Sequence, residues 1–176
     1  MPQATLLENE LLIVYKGLRS VILDEETILN ASVEELAEAC TNSTFLVLGG
    51  IGFSGLNPVF NAEMGLYRAA VSTEEDIARS KRFRAMYEKV LASAENLRVI
   101  VLTHTQMADW SDARYNPKWI YVSGHTHQNR FLLQRDGTAV FSDNQSVTDL
   151  SLGVLTALRL MFINTTRLRI FLTVFT

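Results

Sequence analysis

The three histidines are the residues of this chain best suited to metal chemistry, and each follows an apolar run. His104 comes after Val99–Leu102, while His125 and His127 come after Trp119–Val122. Neutral imidazole is a common protein ligand for manganese, zinc and iron. Because alternate residues of an extended segment project to the same side, His125 and His127 can point at one place. The spacing predicts a metal site built from two strand ends.

Hydrophobic patterns predict the elements that would position these histidines. Thr44–Leu48, Val99–Leu102 and Trp119–Val122 are continuous apolar runs, which are typical of buried strands. Between the first two runs, an amphipathic helix is predicted from Thr73 to about Ala94, with Ser72 and Glu75 as its capping box and its charged residues mostly on the solvent side. A strand, helix, strand order implies a parallel crossover, and ligands bind near the carboxyl ends of such strands. The sequence therefore predicts an α/β fold with the histidines at one sheet edge.

Shorter patterns predict the remaining elements. These are two hairpins, Leu11–Tyr15 with Ser20–Leu23 and Arg130–Gln134 with Thr138–Ser142, and one helix, Val33–Cys40. Ser32 and Glu35 have the spacing of a capping box at the start of that helix. The only cysteine, Cys40, ends it, and we expect a buried thiol there rather than a nucleophile.

Composition and charge indicate one ordinary globular domain. The chain has 176 residues, of which 48% are apolar, and 16 basic against 19 acidic residues give a formal charge of −3. This balance offers no electrostatic case for a surface that binds nucleic acid or an anionic membrane. A single cysteine suits a reducing compartment, and the first residues have no secretory signal pattern. We therefore expect a cytoplasmic protein.

The segment Gly49–Pro58 has four glycines in seven residues, which permits unusual backbone conformations or close approach. A phosphate-cradling loop for a nucleotide is one interpretation, but it requires a helix directly afterwards with a Lys-Ser/Thr pair or a later acidic ligand for the ribose, and neither follows. A tight structural loop, or one that borders a substrate, is the other. Further along, Arg68 is either a contact for a phosphate or an ion-paired surface residue.

One arrangement of motifs is similar to a known family. Leu102–Thr105, followed by Tyr121–His127, resembles the carboxyl-terminal half of the calcineurin-like metallophosphoesterases. In that family a lone histidine after a strand and a later Gly-His-x-His motif supply ligands to a two-metal centre. The resemblance implies that His104 and His125 bind one metal and that His127 binds the other.

The resemblance extends from about Thr44 to Gln145 and has further implications for fold and activity. It implies a partial β-sandwich of the metallophosphoesterase type, with a mixed sheet flanked by helices. It also implies a hydrolase that cleaves phosphomonoesters or phosphodiesters of a phosphorylated substrate. The cofactors would be divalent manganese, zinc or iron.

The chain departs from the family pattern at its other motifs. It contains no Asp-x-His, no Gly-Asp and no Gly-Asn-His, which in the family supply the bridging aspartate and further ligands. The nearby acids Asp109, Asp112 and Asp143 are interpreted as loop and turn residues rather than as metal ligands, and Asp109 is also a candidate for substrate binding at the border of the cleft. Residues 1–145 are thus expected to be a fragment, the carboxyl-terminal half of the domain.

Such a fragment is expected to be inactive or incomplete by itself. Two-metal hydrolysis commonly needs a bridging carboxylate, and three neutral histidines carry no charge to offset two dications. A complementing chain or an oligomer would have to supply the missing carboxylates. The alternative is a non-catalytic module that binds metal or another protein.

Residues 146–176 form an apolar tail beyond the resemblance. Arginines at 159, 167 and 169 interrupt it too often for a membrane span, and none is expected. The last residues, Leu168–Thr176, can be read out of frame as an ordinary aromatic and turn sequence. A reading-frame error is therefore a competing explanation of the tail.

Overall fold

A computed structural model describes residues 7–51, 53–59 and 71–124, apart from the side chain of Leu18, and the backbone of 130–133 and 139–142. The strands are β1 Glu10–Tyr15, β2 Ser20–Asp24, β3 Ser43–Gly50, β4 Val99–Thr103, β5 Ile120–Ser123, β6 Arg130–Leu133 and β7 Ala139–Ser142. The helices are α1 Glu25–Asn30, α2 Val33–Cys40, α3 Thr73–Ala94 and α4 Met107–Trp110, with a 3-10 turn at Lys16–Leu18. The described part of the chain is therefore mixed α/β, as predicted.

The described strands form one mixed sheet in the order β2-β1-β3-β4-β5-β7-β6. The pairs β3–β4, β4–β5 and β5–β7 are parallel, while β1 pairs antiparallel with both β2 and β3, and β6 antiparallel with β7. Helix α3 connects β3 to β4, which is the predicted crossover. The β6–β7 hairpin lies at one edge of the sheet, also as predicted. The four parallel strands thus end at the same edge.

Helices α1, α2 and α3 pack on one face of this sheet. The face contributes alternate strand residues, since successive side chains of a strand point to opposite sides. Buried there are Leu11, Ile13, Leu46, Leu48, Val99, Val101 and Tyr121, together with Ile28, Leu36, Phe83, Met86, Tyr87 and Val90 of the helices. The largest fully buried side chains of this core are aromatic, and Tyr87 packs edge to face against both Trp110 and Trp119.

The other face of the sheet, which we call the open face, is also apolar. Its side chains are half-buried or exposed among the described residues, and Leu102 is 46% exposed. They are Leu12, Val14, Ile22, Phe45, Val47, Ile100, Leu102, Ile120 and Val122. The run Thr44–Leu48 was predicted to be buried on both faces, and the structure buries only its helix side. Among the described residues, the helices therefore form a complete layer on one face of the sheet, while the open face stays partly exposed.

Local capping chemistry explains where the helices begin. At α2 the Ser32 hydroxyl accepts from Glu35 N (3.1 Å) and the Glu35 carboxylate accepts from Ser32 N (2.8 Å), which is the predicted capping box. At α3 the Ser72 hydroxyl accepts from Glu75 N (3.2 Å), which is one half of the predicted capping box, while the Glu75 carboxylate pairs with Arg79. Helix α1 was not predicted. Only six residues long, it starts where the Asp24 side chain accepts from Thr27 N, and is too short to show a periodic apolar pattern.

Two glycines predicted to start the loop after β3 belong to the strand instead. A Cβ on Gly50 would lie 2.3 Å from the ring of Phe83 on the helix side. A Cβ on Gly49 would lie 2.3 Å from the Cβ of Leu7, which packs on the open face. The glycines are therefore needed because other groups approach the strand closely on both sides.

The tail 146–176 and the boundary predicted before it lie outside the described residues. Across the ranges that the structure does describe, every helix is too short or too polar to span a bilayer.

Candidate metal centre

The loops that leave β3, β4 and β5 meet at the carboxyl edge of the sheet, where the backbone of His104 is hydrogen-bonded to the other two loops. It lies directly after β4, where its N–H donates to the carbonyl of Ile51 (3.1 Å) and its own carbonyl accepts from the N–H of Gly124 (2.9 Å). Ile51 follows β3 and Gly124 follows β5. The backbone of His104 is therefore held from both sides, and its side chain is half-buried.

The two threonines beside His104 fix the shape of its loop. The Thr103 hydroxyl donates to the Thr105 carbonyl (2.7 Å), and the Thr105 hydroxyl donates to the Phe53 carbonyl (3.1 Å). The same Thr105 carbonyl accepts from Trp110 Nε1 at 3.4 Å. Both threonines are buried, so these bonds form away from water and constrain the backbone on either side of His104.

The glycine-rich segment after β3 is tied to the first turns of α3. Ser54 donates from its N–H to Asp76 Oδ1 (3.0 Å) and from its hydroxyl to Asp76 Oδ2 (3.1 Å), and Gly55 N donates to Ser80 Oγ (2.9 Å). A Cβ on Gly55 would lie 2.6 Å from the Cα of Ile77. Glycine therefore permits the loop backbone to lie directly against the helix. These contacts favour the tight structural interpretation of this loop.

Asp109 connects the same loop to α4. Its backbone carbonyl accepts from Leu56 N (2.9 Å), and its Oδ1 accepts from Asn57 Nδ2 (2.8 Å). The residue is 4% exposed. Burial raises the pKa of Tyr115, and the negative charge of Asp109 raises it further. Asp109, a weak candidate for substrate binding, thus has a structural role in the loop.

The other predicted site residues fall in two groups. Asp112 is exposed and pairs with Arg84 Nη1 at 2.5 Å, as expected for a loop acid. His125, His127, Arg68 and Asp143 lie outside the residues that the structure describes. Within the described residues, no three or more His, Cys, Asp or Glu side chains come together as a metal-binding group. Of the three predicted histidine ligands, His104 is thus the one that the structure describes.

Asp76 was missed by sequence reasoning. The charges of α3 were predicted to lie mostly on its solvent side, yet Asp76 is fully buried. Glu74 and Glu75 precede it in the same first turn and are exposed, so residue type alone did not distinguish it. The available signal was its position two helical turns before the apolar Phe83, which places it on the apolar face of the helix.

Cys40 is buried, as predicted, and burial raises the pKa of its thiol to about 11. A thiol that holds its proton so tightly is a poor nucleophile at neutral pH. The site therefore does not include it.

No family model, curated protein or solved structure matches this chain. The residues and their placement therefore carry the functional argument.

Proposed function

We propose that this chain contributes His104, His125 and His127 to a divalent-metal centre in a calcineurin-like phosphoesterase domain. The metal would be manganese, zinc or iron, and the reaction hydrolysis of a phosphomonoester or phosphodiester. The hydrogen bond from Gly124 N to the His104 carbonyl carries the proposal. Because His125 directly follows Gly124, this bond supports a common location for two of the three imidazoles.

The surroundings of His104 are suited to a metal ligand. Imidazole nitrogen binds borderline metals well, and ligand geometry is most precise where the supporting backbone is rigid. The bonds to Ile51 and Gly124, and the threonine hydroxyls on either side, provide that rigidity. A bound divalent cation would polarise a phosphoryl oxygen and lower the pKa of a water molecule. The residues of this chain would hold and orient the ligand groups.

The buried carboxylates near this edge already have structural partners. Asp76 accepts two hydrogen bonds from Ser54, and Asp109 accepts from Asn57. Two cations would need negative charge that the three histidines do not provide. We therefore propose that the bridging carboxylate comes from a complementing chain or segment, and that this chain alone is inactive.

The open face supports the β-sandwich part of the proposal. A sheet with apolar side chains on both faces is stable when a layer covers each of them. Leu7 already packs on the open face against Gly49, and Leu102 remains 46% exposed there. A second sheet on this face would complete a sandwich and bring a complementing segment close to the carboxyl edge.

The same open face favours a second candidate, a non-catalytic module that recruits a protein partner. An extended exposed apolar surface is typical of interaction sites. Metal binding separates the two candidates, because recruitment through the open face does not require His104.

The test is a calorimetric titration of the full chain with Mn²⁺ and, separately, Zn²⁺. We expect binding, and we expect His104→Ala to lower the metal affinity by about tenfold or more. Loss of a group that only supports a ligand already has an effect of this size, and loss of a ligand should have at least as large an effect. Asp112→Ala is the matched control, because it removes an exposed acid from the same part of the chain. Absence of binding, or binding that His104→Ala leaves unchanged, would contradict the proposal. Circular dichroism of each variant verifies that the fold is retained.

A further inference from the structure

The strand β2 forms an edge of the sheet. Among the described residues it pairs with β1 alone, in an unbroken antiparallel register. Four of its five residues are exposed, including Val21 (42%) and Ile22 (44%). A strand edge of this kind presents backbone donors and acceptors to any strand that can align with it.

The outward-facing backbone groups of β2 follow from the neighbouring hydrogen bonds. The N–H of Tyr15 donates to the Arg19 carbonyl at 2.9 Å, where β1 and β2 meet. Because backbone groups alternate in direction along an antiparallel strand, Val21 and Leu23 bond towards β1. The backbone N–H and C=O groups of Ser20, Ile22 and Asp24 then point away from β1, towards the unpaired edge of the sheet. The outward groups are therefore centred on Ile22.

Three common protections of an edge strand are missing from β2. Natural edges commonly carry a proline, an inward-pointing lysine or a β-bulge, each of which blocks a further strand. The interior of β2 is Val-Ile-Leu, and its register with β1 has no irregularity. The edge is therefore competent to pair.

Charge selects the partner and its direction. The basic residues Lys16 and Arg19 precede the strand, while Asp24 ends it and Glu25 and Glu26 follow. An antiparallel copy of β2 would bring each basic end beside the acidic end of the other, whereas a parallel copy would align like charges. A two-fold axis also makes the contact self-complementary and closed.

We propose that β2 pairs with β2 of a second copy of this chain, antiparallel about a two-fold axis at Ile22. The two sheets become continuous across the dimer. Arg19 of each copy lies beside the first turn of α1 of the other. This interface is independent of the proposed metal centre.

Sedimentation of the full chain over a range of concentrations tests the proposal. We expect reversible conversion of a 19.8 kDa monomer into a species of twice that mass. Ile22→Lys should weaken the dimer by about tenfold or more, because two lysines would lie opposite each other at the axis. Leu102→Lys is the matched control, since Leu102 is equally exposed on the same sheet face but lies on β4.

Cross-linking tests the register directly. Backbone-paired residues of antiparallel strands have Cα atoms about 5.5 Å apart, a separation that a disulfide spans. Ile22→Cys should therefore give a covalent dimer on mild oxidation, and Leu102→Cys should not. The native Cys40 is buried and provides no background.

Charge reversal tests the direction of pairing. Arg19→Glu and Glu26→Arg should each weaken the dimer, and the double variant should restore it. A monomer at every concentration, a dimer that Ile22→Lys leaves intact, or one that Leu102→Lys breaks equally would overturn the proposal. Failure here leaves the metal titration unaffected, so the two proposals are separable.

Discussion

Asp76 accepts two hydrogen bonds from Ser54, one from the backbone N–H at 3.0 Å and one from the hydroxyl at 3.1 Å, and both residues are buried. The pair joins the loop after β3 to the first turn of α3. Since the next loop residues contact Asp109, the Ser54–Asp76 pair connects the crossover helix to the carboxyl edge of the sheet.

Asp76→Ala should lower the free energy of unfolding by about 2–4 kcal/mol, because it leaves two buried donors of Ser54 without an acceptor. Urea denaturation measures the change. Glu74→Ala is the control, since Glu74 is exposed in the same helical turn and its loss should cost about 0.5 kcal/mol or less. Equal effects of the two substitutions would show that the Ser54 contacts contribute nothing.

Gly50→Ala should destabilise the fold by about 1–3 kcal/mol through overpacking. The new methyl would lie 2.3 Å from Phe83, whose ring is confined edge to face by Trp110 at a centroid distance of 4.8 Å. In a double-mutant cycle with Phe83→Leu, the smaller side chain should make room and recover about 0.5 kcal/mol or more. Strict additivity would argue against the contact.

Tyr87 should make stability fall at alkaline pH. Burial and the hydrogen bond to Tyr121 raise the pKa of Tyr87, while its pKa in the unfolded chain is about 10. As the pH rises, Tyr87 therefore loses its proton in the unfolded state before it does so in the folded state. Its contribution to the free energy of unfolding is complete below about pH 10 and is lost above that pH, at up to about 1.4 kcal/mol per pH unit.

Comparison with Tyr87→Phe isolates this effect from other titrating groups. At neutral pH the variant should be about 1 kcal/mol less stable, because it loses the bond to the Arg114 carbonyl. Urea denaturation should show that the difference in free energy of unfolding between the two proteins shrinks between about pH 10 and pH 11. Parallel stability curves for the two proteins would contradict the assignment.

Phosphodiester hydrolysis by this chain alone should be negligible. The chain lacks the Gly-Asp and Gly-Asn-His motifs, and Asp76 and Asp109, the buried acids among the residues that the structure describes, are engaged in the loop. Turnover of an aryl phosphodiester with added manganese provides the measurement. Robust activity that His125→Ala abolishes would show that the centre is complete without another segment.

The sequence predicted the elements whose signals are local. The alternating or continuous apolar runs located β1, β2, β3 and β4 to within two residues at each end, and Ser72 located the start of α3. His104 lies after β4 because the apolar run ends there. These signals depend on neighbouring residues only, so a single sequence contains them.

The contacts around the candidate site were not predictable in the same way. The Ser54–Asp76 and Asn57–Asp109 bonds join residues 22 and 52 positions apart, and each uses a residue type that is usually exposed. The extension of β3 through Gly49 and Gly50 depends on where Leu7 and Phe83 lie. Such contacts exist only after the chain has folded, and no local pattern represents them.

The pairing of β3 with β4 has a consequence for the order of folding. Leu46 lies opposite Val99, so this pairing must close a loop that includes all of α3, whereas β1 and β2 join through residues 16–19 alone and only the short helices α1 and α2 separate β2 from β3. Non-local parallel pairing forms slowly. We expect the antiparallel strands to form first and the bond between His104 and Gly124 to close late. A metal held at this edge would then stabilise the last step of folding.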